Sequence, residues 1–285
     1  MKKKIQVIVA VGILLAAMIT AKSALAGYVE EAANRTMPVY DEIYLCMDFK
    51  DIVMEENIEG LRLLPKEGLS TTKLENLQKD IRKLEDLMEE FPEVEESLTE
   101  AMYSDKKLDM VSFTKAVLPE RKNTFLLYTS VYEEIEQENG EYLYTAVTNG
   151  AWSDNSMAGG SDYPAAGDDF VTQMYPEEFV MVTDSFDAKY DYEPFRGEDG
   201  QDYWRTDGAC DFIKYGIIDD PFGYRQNQSF TLTTEAVRKQ SEEEFQVVSC
   251  YTHSWDSEFA DVTFESDTGK SEANCWKVYN YVRSR

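Results

Sequence analysis

The chain is poor in basic residues and nearly devoid of histidine. Lys and Arg number 28 against 55 Asp and Glu, and His253 is the single histidine. The shortage of cations excludes nucleic acid as a partner, because phosphate binding rests on clustered Lys and Arg. It also excludes docking on an anionic membrane surface. A lone histidine removes multi-histidine metal sites and acid–base schemes that need a second imidazole. The four cysteines show no C-x-x-C spacing, which leaves out zinc ribbons and thioredoxin-type redox motifs. P-loop, G-x-G-x-x-G and H-E-x-x-H patterns are absent, so ATP, dinucleotide and zincin chemistry have no support. Beyond the first 26 residues, no apolar run approaches the roughly 20 residues needed to span a bilayer.

What is present begins with a secretion signal. Lys2, Lys3 and Lys4 precede an apolar run from Ile5 to Thr20, and Ala24-Leu25-Ala26 supplies a small-x-small cleavage pattern. Residues 1–26 read as a cleavable signal peptide, with the mature chain starting at Gly27 and no stable membrane anchor after cleavage. The expected location is exported, either periplasmic or secreted. Removing that segment, which holds four lysines and no acid, leaves 24 basic side chains against 55 acidic ones. Three readings of that excess stand: it keeps the protein soluble and resists association, it favours cationic ligands or divalent metals, or it reflects a salty or alkaline habitat.

In an oxidising compartment, the even number of cysteines points to two disulfides. Cys250 and Cys275 lie in expected neighbouring strands and form one candidate pair. Cys46 and Cys210 form the other.

The chain divides near residue 120. The fold class read from the sequence is α+β: a helical region over 27–120 with three to four helices, then a mostly antiparallel β region over 121–285, packed as one unit. The clearest helix spans about Thr72 to Phe91, with Leu74, Leu77, Ile81, Leu84, Met88 and Phe91 on one stripe. Thr72 and Glu75 fit a capping box, and Pro92 suits the first turn of a following helix. Two further segments read as helical, Pro38 to Val53 and Glu93 to Leu118, the second broken near Ser104-Asp105. Beyond residue 120, Asn139-Gly140 signals a hairpin. Residues 149–169 read as a polar, glycine-rich loop. Phe179 to Phe186 is an expected strand. Alternation marks others at Phe230 to Ala236, at Ala260 to Phe264, and at Cys275 to Val282.

The constellations that carry chemistry are few. Cys250 and His253 are three apart, so an extended strand points them to opposite faces, against a nucleophilic dyad. His253 then reads as a structural histidine among aromatics. Asp199, Asp202 and Asp207 lie in an acidic, glycine-containing stretch that offers hard oxygen ligands for calcium, although no EF-hand loop is present. Apart from that calcium, no cofactor is indicated. Trp152, Tyr203, Trp204 and Tyr224 are aromatics suited to stacking on a sugar or another small ligand. No catalytic residue is nominated. The reading is an exported non-enzymatic binding or interaction protein whose partner is a small molecule, a polymer or an envelope protein. Two alternatives stand beside it. One is a secreted carboxylate-dependent hydrolase, with or without calcium. The other is an envelope assembly protein that pairs through its helical stripe.

Produced with its leader in a secreting bacterium, the chain should be recovered outside the cytoplasm beginning at Gly27. N-terminal mass spectrometry checks this, and a cytosolic chain retaining Met1 contradicts it.

Overall fold

A computed structural model describes residues 39–58, 60–118, 123–153, 169–190, 203–208, 212–217, 227–239, 244–254 and 275–284. Two antiparallel sheets dominate them. The first runs in the order β1 (Val39–Asp48), β4 (Leu108–Leu118), β5 (Asn123–Tyr132), β7 (Tyr142–Trp152), β12 (Asn227–Arg238) and β9 (Val180–Tyr190), with the short β6 (Ile135–Glu136) beside β7. The second runs β10 (Tyr203–Gly208), β11 (Phe212–Ile217), β8 (Asp169–Met174), β13 (Phe245–Ser254) and β14 (Cys275–Ser284). A separate hairpin joins β2 (Ile52–Asn57) to β3 (Gly60–Pro65). Two helices, α1 (Thr71–Glu90) and α2 (Pro92–Tyr103), complete the described elements.

The first sheet is covered on one face by the second sheet and, over its β1–β4–β5 part, on the other by the helices. Toward the second sheet, Phe125, Leu127, Phe230 and Leu232 share an apolar cluster with Val171, Ile213, Tyr251 and Val278. Toward the helices, Val111, Phe113, Leu126 and Tyr128 pack with Ile81, Leu84, Leu87, Phe91, Val94 and Leu98. Each fully buried side chain of this size contributes about 1.5–3 kcal/mol. The molecule is thus layered as helices, first sheet, second sheet.

The expected α+β division is overturned: among the described residues the molecule is mostly antiparallel sheet, with two helices. The segment Pro38 to Val53, read as helical, forms β1, a short 3₁₀ turn and the start of β2. The segment Glu93 to Leu118 is helical only to Tyr103, and its second run is β4. The cause is burial on both faces. In β1 and β4, Leu45, Met47, Val111 and Phe113 face the helices while Cys46, Met110 and Ala116 face the other sheet. Apolar residues on both faces, with polar ones interspersed on no fixed period, erase the alternation that marks a strand.

The central helix does form. Its N-cap is Ser70, whose side chain accepts from the Lys73 amide at 3.4 Å, two residues ahead of the expected Thr72. The apolar face expected as a pairing surface is taken up inside the protein, with Ile81, Leu84, Leu87 and Phe91 buried. Phe91 adopts φ −130°, ψ 90° and ends α1, and Pro92 opens α2. The Asn139-Gly140 turn is present, with Gly140 at φ +79° and Ile135 opposite Leu143.

A second correction concerns residues 149–152, read as the start of a loop. They are the end of β7, and Asn149 and Gly150 are paired with strands on both sides rather than lying in a loop. Gly150 is there because its two neighbouring strands bring rings over it. An added Cβ would run into Phe230 and lie 2.8 Å from Phe125.

The Cys250–Cys275 pairing also fails on register. Cys250 stands opposite Tyr279, and Cys275 stands opposite Ser254. Four residues of strand separate them along the ladder, about 13 Å, well beyond the Cα reach of a disulfide. Cys46 packs at the inter-sheet core, while Cys210 lies outside the described residues. So do the signal segment and the strand expected at Ala260 to Phe264.

Gly150→Ala should cost about 1–3 kcal/mol through overpacking. A urea midpoint lowered without a change in slope is the expected result, and an unchanged midpoint contradicts the packing described.

Candidate functional site

On α2 the residues sort by helical spacing. Val94, Leu98 and Ala101 point into the core. Glu93, Glu96, Ser97 and Glu100, spaced by three and four, share the adjoining face. That face overlooks the part of the first sheet where β7, β12 and β9 turn their odd-numbered side chains outward. β12 supplies Thr231 and Thr233, because its even positions Phe230, Leu232, Thr234 and Ala236 are buried between the sheets. β7 supplies Val147 and Asn149, and β9 supplies Asp187 and Lys189. Together with Tyr128 and Tyr132 of β5 they enclose a cleft of about 410 Å³, within the usual range for ligand sites.

The position of α2 is held by directional contacts. Tyr128 donates from its hydroxyl to the Glu93 carbonyl at 3.1 Å. The Leu61 amide of β3 donates to Glu95 Oε1 at 2.8 Å. At the joint between the helices, Glu90 accepts from Thr124 Oγ1 at 2.5 Å and pairs with Lys115. Burial pushes the Tyr128 phenol well above its ordinary range. Burial, and then the charge of Glu100, pushes Tyr132 upward too. Both therefore line the cleft as neutral hydroxyls.

The cleft is anionic. Among the described lining residues, Glu93, Glu96, Glu100 and Asp187 face one cation, Lys189, whose Nζ lies 3.4 Å from Glu96 Oε2. Both partners of that pair are more than 60 % exposed, so it is a weak strap across the mouth. Two polar atoms on its described lining residues are unsatisfied. Asn149 is 6 % exposed. It accepts from Thr231 Oγ1 at 2.7 Å, yet its Nδ2 has no hydrogen-bond partner. Turning the amide over only moves the deficit to the oxygen. Glu93 Oε2 is also buried without a partner. Each such atom costs about 1–3 kcal/mol.

A second polar constellation lies between the sheets. His253, 4 % exposed, places Nδ1 2.9 Å from Asp169 Oδ1, and Tyr251 donates its hydroxyl to the same carboxylate. Trp152 packs edge-on to His253, with ring centroids 6.0 Å apart, and lies 5.0 Å from Phe125. Cys250 and His253 point to opposite faces of β13, as their odd separation in a strand requires. Cys250 Sγ lies 3.8 Å from Thr252 Oγ1 on one face of β13, while Tyr251 and His253 occupy the other.

The residues nominated from sequence are not gathered in the cleft. Trp152 belongs to the inter-sheet aromatic cluster. Tyr203, Trp204 and Asp207 lie on β10, with their side chains outside the description, and Tyr224, Asp199 and Asp202 lie outside the described residues altogether. Among the described residues, no group of three or more His, Cys, Asp or Glu is placed to hold a metal ion. Nor is any described helix long and apolar enough to cross a membrane. Sequence reading missed the cleft because glutamates on an amphipathic helix look like an ordinary solvated face, and Asn149 sat in an expected loop.

No protein-family model matches the chain, and no curated protein does. Solved structures with partial likeness include the T6 backbone pilin of Streptococcus pyogenes, at 10 % identity and TM-score 0.34, covering 87 % of this chain and 63 % of that one. The collagen-binding subdomain of the Enterococcus faecalis surface protein ACE shows 9 % identity and TM-score 0.29, covering 52 % and 90 %. The collagen-binding domain of a Staphylococcus aureus adhesin shows 11 % identity and TM-score 0.26, covering 56 % and 88 %. Scores of this size do not establish a shared fold.

If Asn149 is kept at a cost to stability, Asn149→Val should raise stability by about 1 kcal/mol, a few degrees in Tm for a protein of this size. Differential scanning calorimetry measures it. A fall in Tm would show that the amide is satisfied and structural.

Proposed function

We propose that the protein is an exported, non-enzymatic binding or interaction protein of the cell envelope or extracellular space, and that the α2 cleft is its ligand face. The observation that carries this reading is the pair of unsatisfied polar atoms, Asn149 Nδ2 and Glu93 Oε2, on two residues that line one cleft. Folding tolerates such atoms where a bound group completes them. The leader pattern of residues 1–26 supports export. The pairing of β4 with β5 across residues 119–122 supports residues 27–120 and 121–285 acting as one unit. The partner classes that fit are a small molecule, a polymer or an envelope protein, engaging the polar floor of β7 and β12 and the acidic face of α2.

The test is a thermal-shift panel of neutral oligosaccharides, short basic and acidic peptides, and small polar molecules on residues 27–285. A ligand at a hundredfold over its Kd adds about 2.7 kcal/mol. At least one class should raise Tm, and Thr233→Trp, which fills the cleft from the β12 side, should remove that rise. Turnover of a glycan, peptide or ester, or ligand shifts indifferent to Thr233→Trp, would overturn the reading.

A further inference from the structure

The chemistry of the cleft narrows its ligand, on the premise that the cleft is the binding face. Asn149 Nδ2 is a donor awaiting an acceptor, and Glu93 Oε2 is an acceptor awaiting a donor. Around them, Glu96, Glu100 and Asp187 add negative charge that Lys189 offsets only in part. Carboxylates and phosphates are repelled. A neutral sugar has donors and acceptors, but gains nothing from the surplus charge. A bare metal ion is not served either, since the described carboxylates do not converge as a ligand set. A ligand that joins a cation to a nearby carbonyl satisfies every group.

We infer that the cleft takes a basic peptide segment. A lysine or arginine side chain is seated against Glu93, Glu96 and Glu100, and a backbone carbonyl of the peptide accepts from Asn149 Nδ2. Lys189 is the built-in competitor. It occupies Glu96 in the free protein, and the peptide cation displaces it. The exposed, weak geometry of that pair makes the exchange inexpensive. The acidic surface of the whole chain adds long-range steering for a cationic partner, strongest at low salt.

Lys189 gives the inference a sign that general attraction does not. The probes are tetralysine amide and its fully N-acetylated form, titrated by calorimetry into residues 27–285 at low salt. Tetralysine should bind and the acetylated peptide should not. Glu96→Gln with Glu100→Gln should weaken binding about tenfold. Lys189→Gln should tighten it about threefold, by freeing Glu96. Glu136→Gln with Glu138→Gln, on the distant hairpin, should leave it unchanged beyond a small salt-dependent shift. The Glu-to-Gln variants conserve shape, and unchanged Tm values verify folding. Equal weakening by the hairpin and cleft pairs would reduce the effect to bulk charge and overturn the inference. So would Lys189→Gln weakening the complex. If neutral oligosaccharides bind in a manner abolished by Thr233→Trp while tetralysine does not, the basic-peptide inference falls and the binding cleft stands. If no probe responds to Thr233→Trp, both fall.

Discussion

A belt of hydrogen-bonded side chains between the two sheets sets the geometry of everything else. At one level of the inter-sheet layer, strand after strand replaces an apolar residue with a polar one. Thr129 sits between Leu127 and Val131, Thr148 between Ala146 and Gly150, Ser249 between Val247 and Tyr251, and Thr234 between Leu232 and Ala236. The hydroxyls of Thr129, Thr148 and Ser249 meet at 2.7–3.2 Å. Gln173 bridges Thr148 and Thr234 at 2.9 and 2.6 Å, and Tyr175 reaches Thr234 at 2.9 Å. At the edge, Asn280 donates toward Ser112 and Thr114 at 3.3 and 3.0 Å. Each bond adds only about 0.5–1.5 kcal/mol net, but a broken one strands a buried group at greater cost. Sliding one sheet over the other by a residue pair would strand the whole set. The belt thus specifies alignment more than it adds stability.

The belt divides the inter-sheet core into two apolar clusters. One end is occupied by the Asp169, His253 and Tyr251 group beneath Trp152. The other is occupied by Arg238, whose guanidinium lies 5.0–5.1 Å from the rings of Tyr144, Phe179 and Phe245 and whose Nε donates to the Tyr144 hydroxyl at 3.1 Å. With the inner faces of β7 and β12 committed in this way, their outer faces present Asn149, Thr231 and Thr233. The helices cover one side of that surface, where Val111, Phe113 and Leu126 need burial, and leave the polar side open as the cleft. The cleft is therefore a by-product of how the apolar positions are shared among three layers.

Legibility in the sequence followed periodicity. The alternation at Phe230 to Ala236 located β12, because one of its faces is apolar and the other polar. The stripe from Leu74 to Phe91 located α1, and Asn139-Gly140 located its turn. Strands β1 and β4 were lost because they are apolar on both sides, and a two-sided strand carries no period-2 signal. Gly150 misled because it opens a polar, glycine-rich stretch of the kind that forms loops, whereas here it makes room for the rings of Phe125 and Phe230. The cleft residues were visible individually but not as a group. Glu93, Glu96 and Glu100 show the spacing of any solvated helical face, and nothing local connects them to Asn149 or Lys189.

From the chain alone came the acid excess and hence the classes of partner it repels, the isolation of His253, the leader pattern, and those elements whose apolar residues fall on a single face. These depend on composition and on contacts a few residues apart, which local order records. The layering, the sheet order, the separation of Cys250 from Cys275 and the assembly of the cleft were decided in three dimensions. They arise from contacts between residues tens to more than a hundred positions apart, such as Thr129 with Ser249 and Glu96 with Lys189. Their energies exist only once the sheets have met, so no stretch of sequence taken by itself carries them.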